Sequence, residues 1–103
     1  MQDRIHEDLK QAQLQRDEIK VSTLRLLLSE IHNLAIQKNG TLTEADVISV
    51  IQREVKKRKE ASESFRSGGR EEASLKEEAE SKILEAYLPV QASIEELTQV
   101  VEQ

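Results

Sequence analysis

The sequence predicts an all-α protein, a small antiparallel helical bundle with a central basic/acidic helical hairpin. The residues that favour helix dominate the composition, whereas aromatic residues make up only 2% and proline occurs once. Apolar residues recur at helical spacing in successive segments, and glycine or proline falls where those segments end. With 103 residues, the chain is long enough for one small hydrophobic core.

Two helices are predicted before residue 40. The first covers residues 3–16 and has a narrow apolar stripe of Ile5, Leu9 and Ala12. The second ends at Lys38-Asn39-Gly40, because Asn and Gly tolerate the left-handed conformation that closes a helix. Its apolar face is the broadest in the chain, and we expect it to form the centre of the core: Val21, Leu24, Leu27, Leu28, Ile31, Leu34 and Ala35.

The predicted hairpin joins a third helix, residues 44–66, to a fourth, residues 70–87. Thr43 is the expected N-cap of the third helix, and Ser67-Gly68-Gly69 separates the two helices. The apolar face of the third helix comprises Val47, Ile51, Val55, Ser62 and Phe65. That of the fourth comprises Leu75, Ala79, Ile83, Ala86 and Tyr87.

Charge is distributed unevenly along the chain, whose formal net charge is −5. Residues 53–70 carry seven basic and three acidic groups, a net charge of +4, whereas residues 71–103 carry two basic and nine acidic groups, a net charge of −7. The two arms of the hairpin should therefore attract each other. The basic segment is the one candidate contact for a polyanion.

A change of organisation is predicted at Pro89, which ends the fourth helix. Ser93-Ile94-Glu95-Glu96 resembles a capping box and should begin a fifth helix. We therefore expect residues 1–89 to form a helical bundle. The short fifth helix either packs back on that bundle or begins a second helical module.

Composition also bears on the cellular location of the protein and on the kinds of binding site that it can contain. The chain has no cysteine, which excludes disulfides and thiolate metal sites, and no apolar run approaches the roughly 20 residues that span a bilayer. The amino terminus begins with polar helical sequence rather than with a signal peptide. These features predict a cytoplasmic protein without a membrane partner.

The residues give little indication of catalysis. Gly68-Gly69 has neither the preceding strand nor the downstream lysine of a phosphate-binding loop. His6 and His32 lie in different helices without ligand spacing. Glu77 and Glu80 could be paired carboxylates, but such a pair is more often part of a solvated face or a partner for basic side chains across a hairpin. No catalytic residue, metal site or cofactor is therefore predicted.

The basic segment is the candidate binding site. Its exposed cations could neutralise several phosphates of a folded RNA, and the candidate residues are Arg53, Lys56, Lys57, Arg66 and Arg70. The alternative is an ordinary solvated helix face balanced by neighbouring glutamates. Stacking on single-stranded bases is not indicated, because the segment's one aromatic residue, Phe65, is on the apolar face. DNA is not an expected partner.

Arg58 interrupts the apolar face of the third helix and therefore requires a partner. Glu77 or Glu80 on the fourth helix could supply it if the hairpin closes. We predict a structural ion pair that fixes the register of the hairpin. A site for a ligand or partner is the alternative.

Three runs of residues together resemble the YqeY family. The first is Thr23-Leu24-Arg25-Leu26-Leu27-Leu28-Ser29-Glu30-Ile31. The second comprises residues 55–62, with Lys56-Lys57-Arg58-Lys59, and residues 65–72, with Ser67-Gly68-Gly69. The third comprises Lys76-Glu77-Glu78-Ala79-Glu80 and residues 83–89, which end in Tyr87-Leu88-Pro89. The likeness covers nearly the whole chain, and the joint spacing of the runs is more specific than any one of them.

The resemblance implies an all-helical protein in two parts: a helical bundle at residues 1–89, then a linker and the first helix of a truncated second helical module at residues 90–103. The family's domain, the GatB/YqeY domain, also forms the tail of the B subunit of tRNA-dependent amidotransferases. Because that tail helps to bind tRNA, we expect a non-catalytic, tRNA-binding module. Its expected partners are tRNA and a larger enzyme or amidotransferase subunit. One alternative is a protein–protein adaptor without RNA binding. Another is the carbon–nitrogen ligase activity, with glutamine as amide donor, that the resemblance also suggests.

Overall fold

Four α-helices account for the regular secondary structure of residues 1–89, which are the residues that the computed structural model describes. They are α1 (Gln2–Gln15), α2 (Glu18–Gln37), α3 (Glu44–Ser67) and α4 (Glu71–Glu85). The all-α prediction is therefore confirmed. The predicted fifth helix and second module lie outside the described residues.

The turn between α2 and α3 forms as the sequence predicts. Asn39 and Gly40 have φ angles of 60° and 90°, in the left-handed region that ends a helix. Thr43 Oγ1 accepts a hydrogen bond from the Asp46 amide at 3.1 Å, and the Thr43 amide donates to Asp46 Oδ2 at 2.9 Å. Lys38 Nζ donates to Asp46 Oδ1 at 2.8 Å, and this bond lowers the pKa of the Asp46 carboxyl. The cap thus joins the end of α2 to the start of α3.

The hydrophobic core is assembled around α2 and α3. Leu24, Leu27 and Ile31 of α2 are buried, as predicted, and they meet residues from each of the other helices or their ends: Ile5, Val47, Val50, Ile51, Val55, Leu84 and Tyr87. None of the four described helices is long and apolar enough to cross a membrane.

The buried face of α4 agrees with the predicted one only in part, since Tyr87 is buried and Ile83 packs against the core. Leu75 is 55% exposed and Ala86 is also exposed, whereas Ser74, Ser81 and Leu84 are buried. The helix is also shorter than the predicted 70–87, because Tyr87 and Leu88 follow it in a turn. The prediction failed here because it counted only apolar residues. Serines on α4 face α3, so polar side chains take part of the place that an apolar stripe would occupy.

Candidate functional site

A polar seam runs through the interface between α3 and α4, with Arg58 at its centre. The Arg58 side chain is 6% exposed. Its Nη1 donates to Glu54 Oε1 at 2.7 Å and to the Glu54 carbonyl oxygen at 3.1 Å, and its Nε donates to Glu80 Oε1 at 3.0 Å. Of the two predicted partners, Glu80 contacts Arg58, while Glu77 is half-buried and is not among the carboxylates that the guanidinium contacts. Arg58 therefore bonds to carboxylates on both helices and links α3 to α4.

Glu54 is the partner that sequence reasoning missed. It lies one helical turn before Arg58, at the spacing where side chains of one helix meet, so a signal was present. Burial would raise the pKa of the Glu54 carboxyl, but the hydrogen bond from Arg58 and the charge of Lys57 together lower it. Glu54 therefore remains ionised, with Lys57 Nζ 3.3 Å from its Oε2.

Serines continue this seam on either side of Arg58. Ser62 and Ser74 are both buried, and their hydroxyl oxygens are 2.8 Å apart in a hydrogen bond between α3 and α4. Ser81 Oγ, also buried, donates to Glu85 Oε2 at 2.9 Å. Because these hydroxyls bond to each other or to a carboxylate, their hydrogen-bonding capacity is used within the hairpin.

A shallow groove of about 310 Å³ lies along one side of the same interface. Its rim combines three cations with three carboxylates: Lys59, Arg66, Lys82, Glu63, Glu78 and Glu85. Arg66 Nη2 lies 2.6 Å from Glu78 Oε1, and Lys59 Nζ lies 3.7 Å from Glu85 Oε2. Because the opposite charges pair across the groove, it does not concentrate charge of either sign for a ligand.

The structure divides the predicted phosphate-binding residues into two groups. Arg53, Lys56 and Lys57 are exposed on α3, one turn or less apart, and we call them the basic strip. Arg66 and Arg70 are exposed at the end of the hairpin, where Arg66 pairs with Glu78 and the Arg70 guanidinium lies 5.4 Å from the centre of the Phe65 ring. At about 1.5 Å per residue, Lys57 and Arg66 are roughly 14 Å apart along α3. The five residues are thus not one continuous patch.

A second polar cluster connects α1 with the turn after α4. The Tyr87 hydroxyl donates to Asp8 Oδ2 at 2.5 Å, and the Arg4 guanidinium lies 4.7 Å from the centre of the tyrosine ring. Burial raises the pKa of the Tyr87 hydroxyl, and the hydrogen bond to Asp8 raises it further. No local sequence signal could have predicted the contact, because Asp8 and Tyr87 are separated by 79 positions.

The two histidines lie apart from both clusters. His6 is exposed on α1 and His32 is exposed on α2. Within residues 1–89, no group of three or more His, Cys, Asp or Glu side chains is arranged to hold a metal ion. The polar geometry of the described residues is therefore that of helix–helix contacts and a basic surface.

Comparison with known proteins now identifies the family. The model of the Yqey-like protein family matches residues 2–103. The chain belongs to the YqeY-like family. Its membership agrees with the resemblance expected from the residues of α2 and the α3–α4 hairpin.

Several fungal proteins are similar to this YqeY-like chain. An uncharacterised protein of Schizosaccharomyces pombe is 35% identical over 86% of the chain and 72% of its own length. Proteins named altered inheritance of mitochondria protein 41, mitochondrial, from Kluyveromyces lactis and Eremothecium gossypii are 38% and 35% identical, each over 90% of the chain and 52% of their own length. The chain thus spans about half the length of these two relatives.

These names correct the prediction of a cytoplasmic location. The matched proteins from Kluyveromyces lactis and Eremothecium gossypii are named as mitochondrial. The prediction had relied on the lack of cysteine and on a polar amino terminus. Neither feature distinguishes one reducing compartment from another, which is why the inference was wrong.

Proposed function

We propose that this YqeY-like chain is a non-catalytic helical module that binds structured RNA of the tRNA class through the basic strip. The observation that carries the proposal is the position of Arg53, Lys56 and Lys57 on the exposed side of α3, while Arg58 of the same helix is buried against α4. Three cations within two helical turns are a suitable contact for consecutive phosphates.

The separation of charge between the hairpin arms supports this choice of surface. Helix α4 carries six glutamates and two lysines, and several of its carboxylates pair with residues of α3. Those pairs are in the interface or beside the groove. The basic strip is on the other side of α3, away from these glutamates, although Lys57 also contacts Glu54 of its own helix at 3.3 Å. The local surface can therefore attract a polyanion even though the net charge of the chain is −5.

The composition of the strip favours a folded RNA over a single strand. Recognition of single strands uses aromatic side chains that stack on bases, whereas folded RNA is bound mainly through its shape and its phosphate and 2′-hydroxyl groups. No aromatic residue lies between Arg53 and Lys57, and Phe65 is half-buried and covered by Arg70. The strip thus has the charges for phosphate contacts and no platform for base stacking.

The carbon–nitrogen ligase alternative receives no support from the described residues. Ser62 and Ser74 bond to each other and Ser81 bonds to Glu85, so the buried hydroxyls in the hairpin are engaged in packing contacts. The exposed histidines are on α1 and α2 rather than beside these serines. A binding role therefore explains the geometry with fewer assumptions.

The salt dependence of tRNA binding tests the proposal and counts the contacts. Each phosphate contact contributes a slope of about −0.7 to −0.9 to the logarithm of affinity against the logarithm of salt concentration. Three contacts from the basic strip predict a loss of about 20- to 40-fold between roughly 50 and 200 mM salt, whereas five contacts predict about 100- to 500-fold. Absence of binding at both concentrations would contradict the proposal and leave the adaptor interpretation.

Charge reversal tests whether the basic strip is the surface that binds tRNA. The triple variant Arg53→Glu, Lys56→Glu, Lys57→Glu should lose tRNA binding and keep its helical circular dichroism spectrum. The matched control reverses three exposed lysines on α1 and α4, Lys10, Lys76 and Lys82, and changes the net charge by the same amount. Equal losses in both variants would mean that overall charge, and not the basic strip, governs binding.

A further inference from the structure

Helix α2 has a second regular face, which the bundle does not cover. Ile19, Leu26 and Ile36 are 39%, 47% and 63% exposed. Three uncharged residues, also exposed, complete the row with them: Ser22, Ser29 and Asn33. The six positions follow one another at intervals of three, four, three, four and three residues. They form one uncharged stripe along nearly the whole helix, which we call the α2 seam.

This spacing is that of a heptad repeat. Ile19, Leu26 and Asn33 occupy the first position of successive heptads, conventionally a, and Ser22, Ser29 and Ile36 occupy the fourth, d. The residues of α2 that form the core of the bundle lie at other positions: Leu24, Leu27 and Ile31. The helix therefore presents one face to its own core and a separate coiled-coil face to solvent.

We infer that the α2 seam pairs in parallel with the same seam of a second copy of this chain, about a twofold axis. In that arrangement identical positions meet. Ile19, Leu26 and Ile36 each contact their own counterpart, Asn33 hydrogen-bonds to the Asn33 amide of the second copy, and the small serines at 22 and 29 allow the helices to approach. An antiparallel pair would instead place Leu26 against Ser29 and Asn33 against Ser22.

The charges that flank the seam favour the same orientation. Arg25 is exposed at position g, and Glu30 is partly exposed at position e. A parallel coiled coil places each g residue beside the following e residue of its partner, so Arg25 of each copy meets Glu30 of the other. The antiparallel alternative would place Arg25 beside His32 and leave Glu30 beside Thr23. Only the parallel dimer gains two salt bridges.

The contact should be weak. It comprises six positions from each copy, fewer than the roughly 20–30 residues that each partner contributes to a standard interface. Serines at two d positions and Asn33 at an a position reduce its stability further, although a buried Asn fixes register and the number of strands. We therefore expect a monomer–dimer equilibrium with a Kd of about 10–100 µM, at the low end of specific interfaces.

Sedimentation equilibrium of the chain between about 5 and 500 µM tests the inference. The expected result is a concentration-dependent dimer that Leu26→Glu weakens at least about tenfold. Leu75→Glu is the matched control, because Leu75 is a leucine of similar exposure on α4, outside the seam. Both side chains are exposed, so the fold should persist, as circular dichroism can verify. A monomer at every concentration, or equal effects of the two variants, would overturn the inference.

Two further variants establish the orientation. Arg25→Glu and Glu30→Arg should each weaken the dimer, and their combination should restore it, because the salt bridge re-forms with reversed charge. The chain has no cysteine, so Asn33→Cys introduces a single thiol. In the parallel dimer two such thiols meet and form a disulfide under mild oxidation. A dimer that does not cross-link through position 33, or no rescue by the double swap, would exclude the parallel arrangement.

Discussion

The two sides of α3 use the same chemical groups in opposite ways. On one side Arg58 is buried, with two carboxylates within 3.0 Å, and it joins α3 to α4. On the other side Arg53, Lys56 and Lys57 are exposed, one turn or less apart. The difference shows that the number of cations in a helix does not reveal their role. Burial and partner geometry separate a structural arginine from a candidate ligand contact.

Removal of the buried cation should have the largest effect on stability. Arg58→Ala leaves Glu54 and Glu80 without their shared partner in the interface, so we expect a loss of about 3–5 kcal/mol in the free energy of unfolding. Urea denaturation followed by circular dichroism measures it. Arg53→Ala, a similar truncation on the exposed side of the same helix, should change stability by no more than about 0.5 kcal/mol. Similar losses of stability in the two variants would mean that the buried and exposed sides of α3 do not differ in this way.

The serine pair provides a smaller test of the buried side. Ser62→Ala or Ser74→Ala leaves one buried hydroxyl without its partner, which should cost about 1–3 kcal/mol. The double variant removes both hydroxyls and should cost less than the sum of the two single changes. Denaturation of the four proteins in this cycle gives the coupling energy. A coupling energy of zero would mean that the 2.8 Å hydrogen bond does not contribute to the hairpin.

Acid should weaken the buried side selectively through Glu54. Its pKa is lowered in the folded state, so its contribution to stability is present above the ordinary glutamate value of 4.5 and is lost as the pH falls through the lowered folded-state value. The variant Glu54→Gln should therefore show a smaller loss of stability over this pH range than the unmodified chain. Urea denaturation at a series of pH values measures the two curves. Parallel curves would contradict the assigned role of the carboxylate.

Several of these features follow from local sequence, and others do not. The end of α2 was predicted from Lys38-Asn39-Gly40, and the start of α3 from Thr43, because caps depend on a few neighbouring residues. Periodicity located the buried face of α2 but only part of that of α4, where Tyr87 is buried as predicted but Leu75 is exposed and Ser74 is buried. Apolar periodicity cannot show that two serines will satisfy each other across an interface. The contact between Asp8 and Tyr87 depends entirely on tertiary structure.

The exposed side should show the smallest effect on stability and the clearest effect on binding. Replacing Arg53, Lys56 and Lys57 one at a time with alanine should change the free energy of unfolding by about 1 kcal/mol or less. This includes Lys57, whose own side chain is exposed although it contacts the buried Glu54, because Glu54 keeps its bond to Arg58. Each variant should make the slope of log affinity for tRNA against log salt concentration less negative by about 0.7–0.9, because one phosphate contact is lost. Fluorescence anisotropy over a salt series measures that slope. The control, Lys76→Ala on α4, should leave it unchanged. Unaltered slopes in all three strip variants would mean that these cations, like those of any solvated helix face, do not contact RNA.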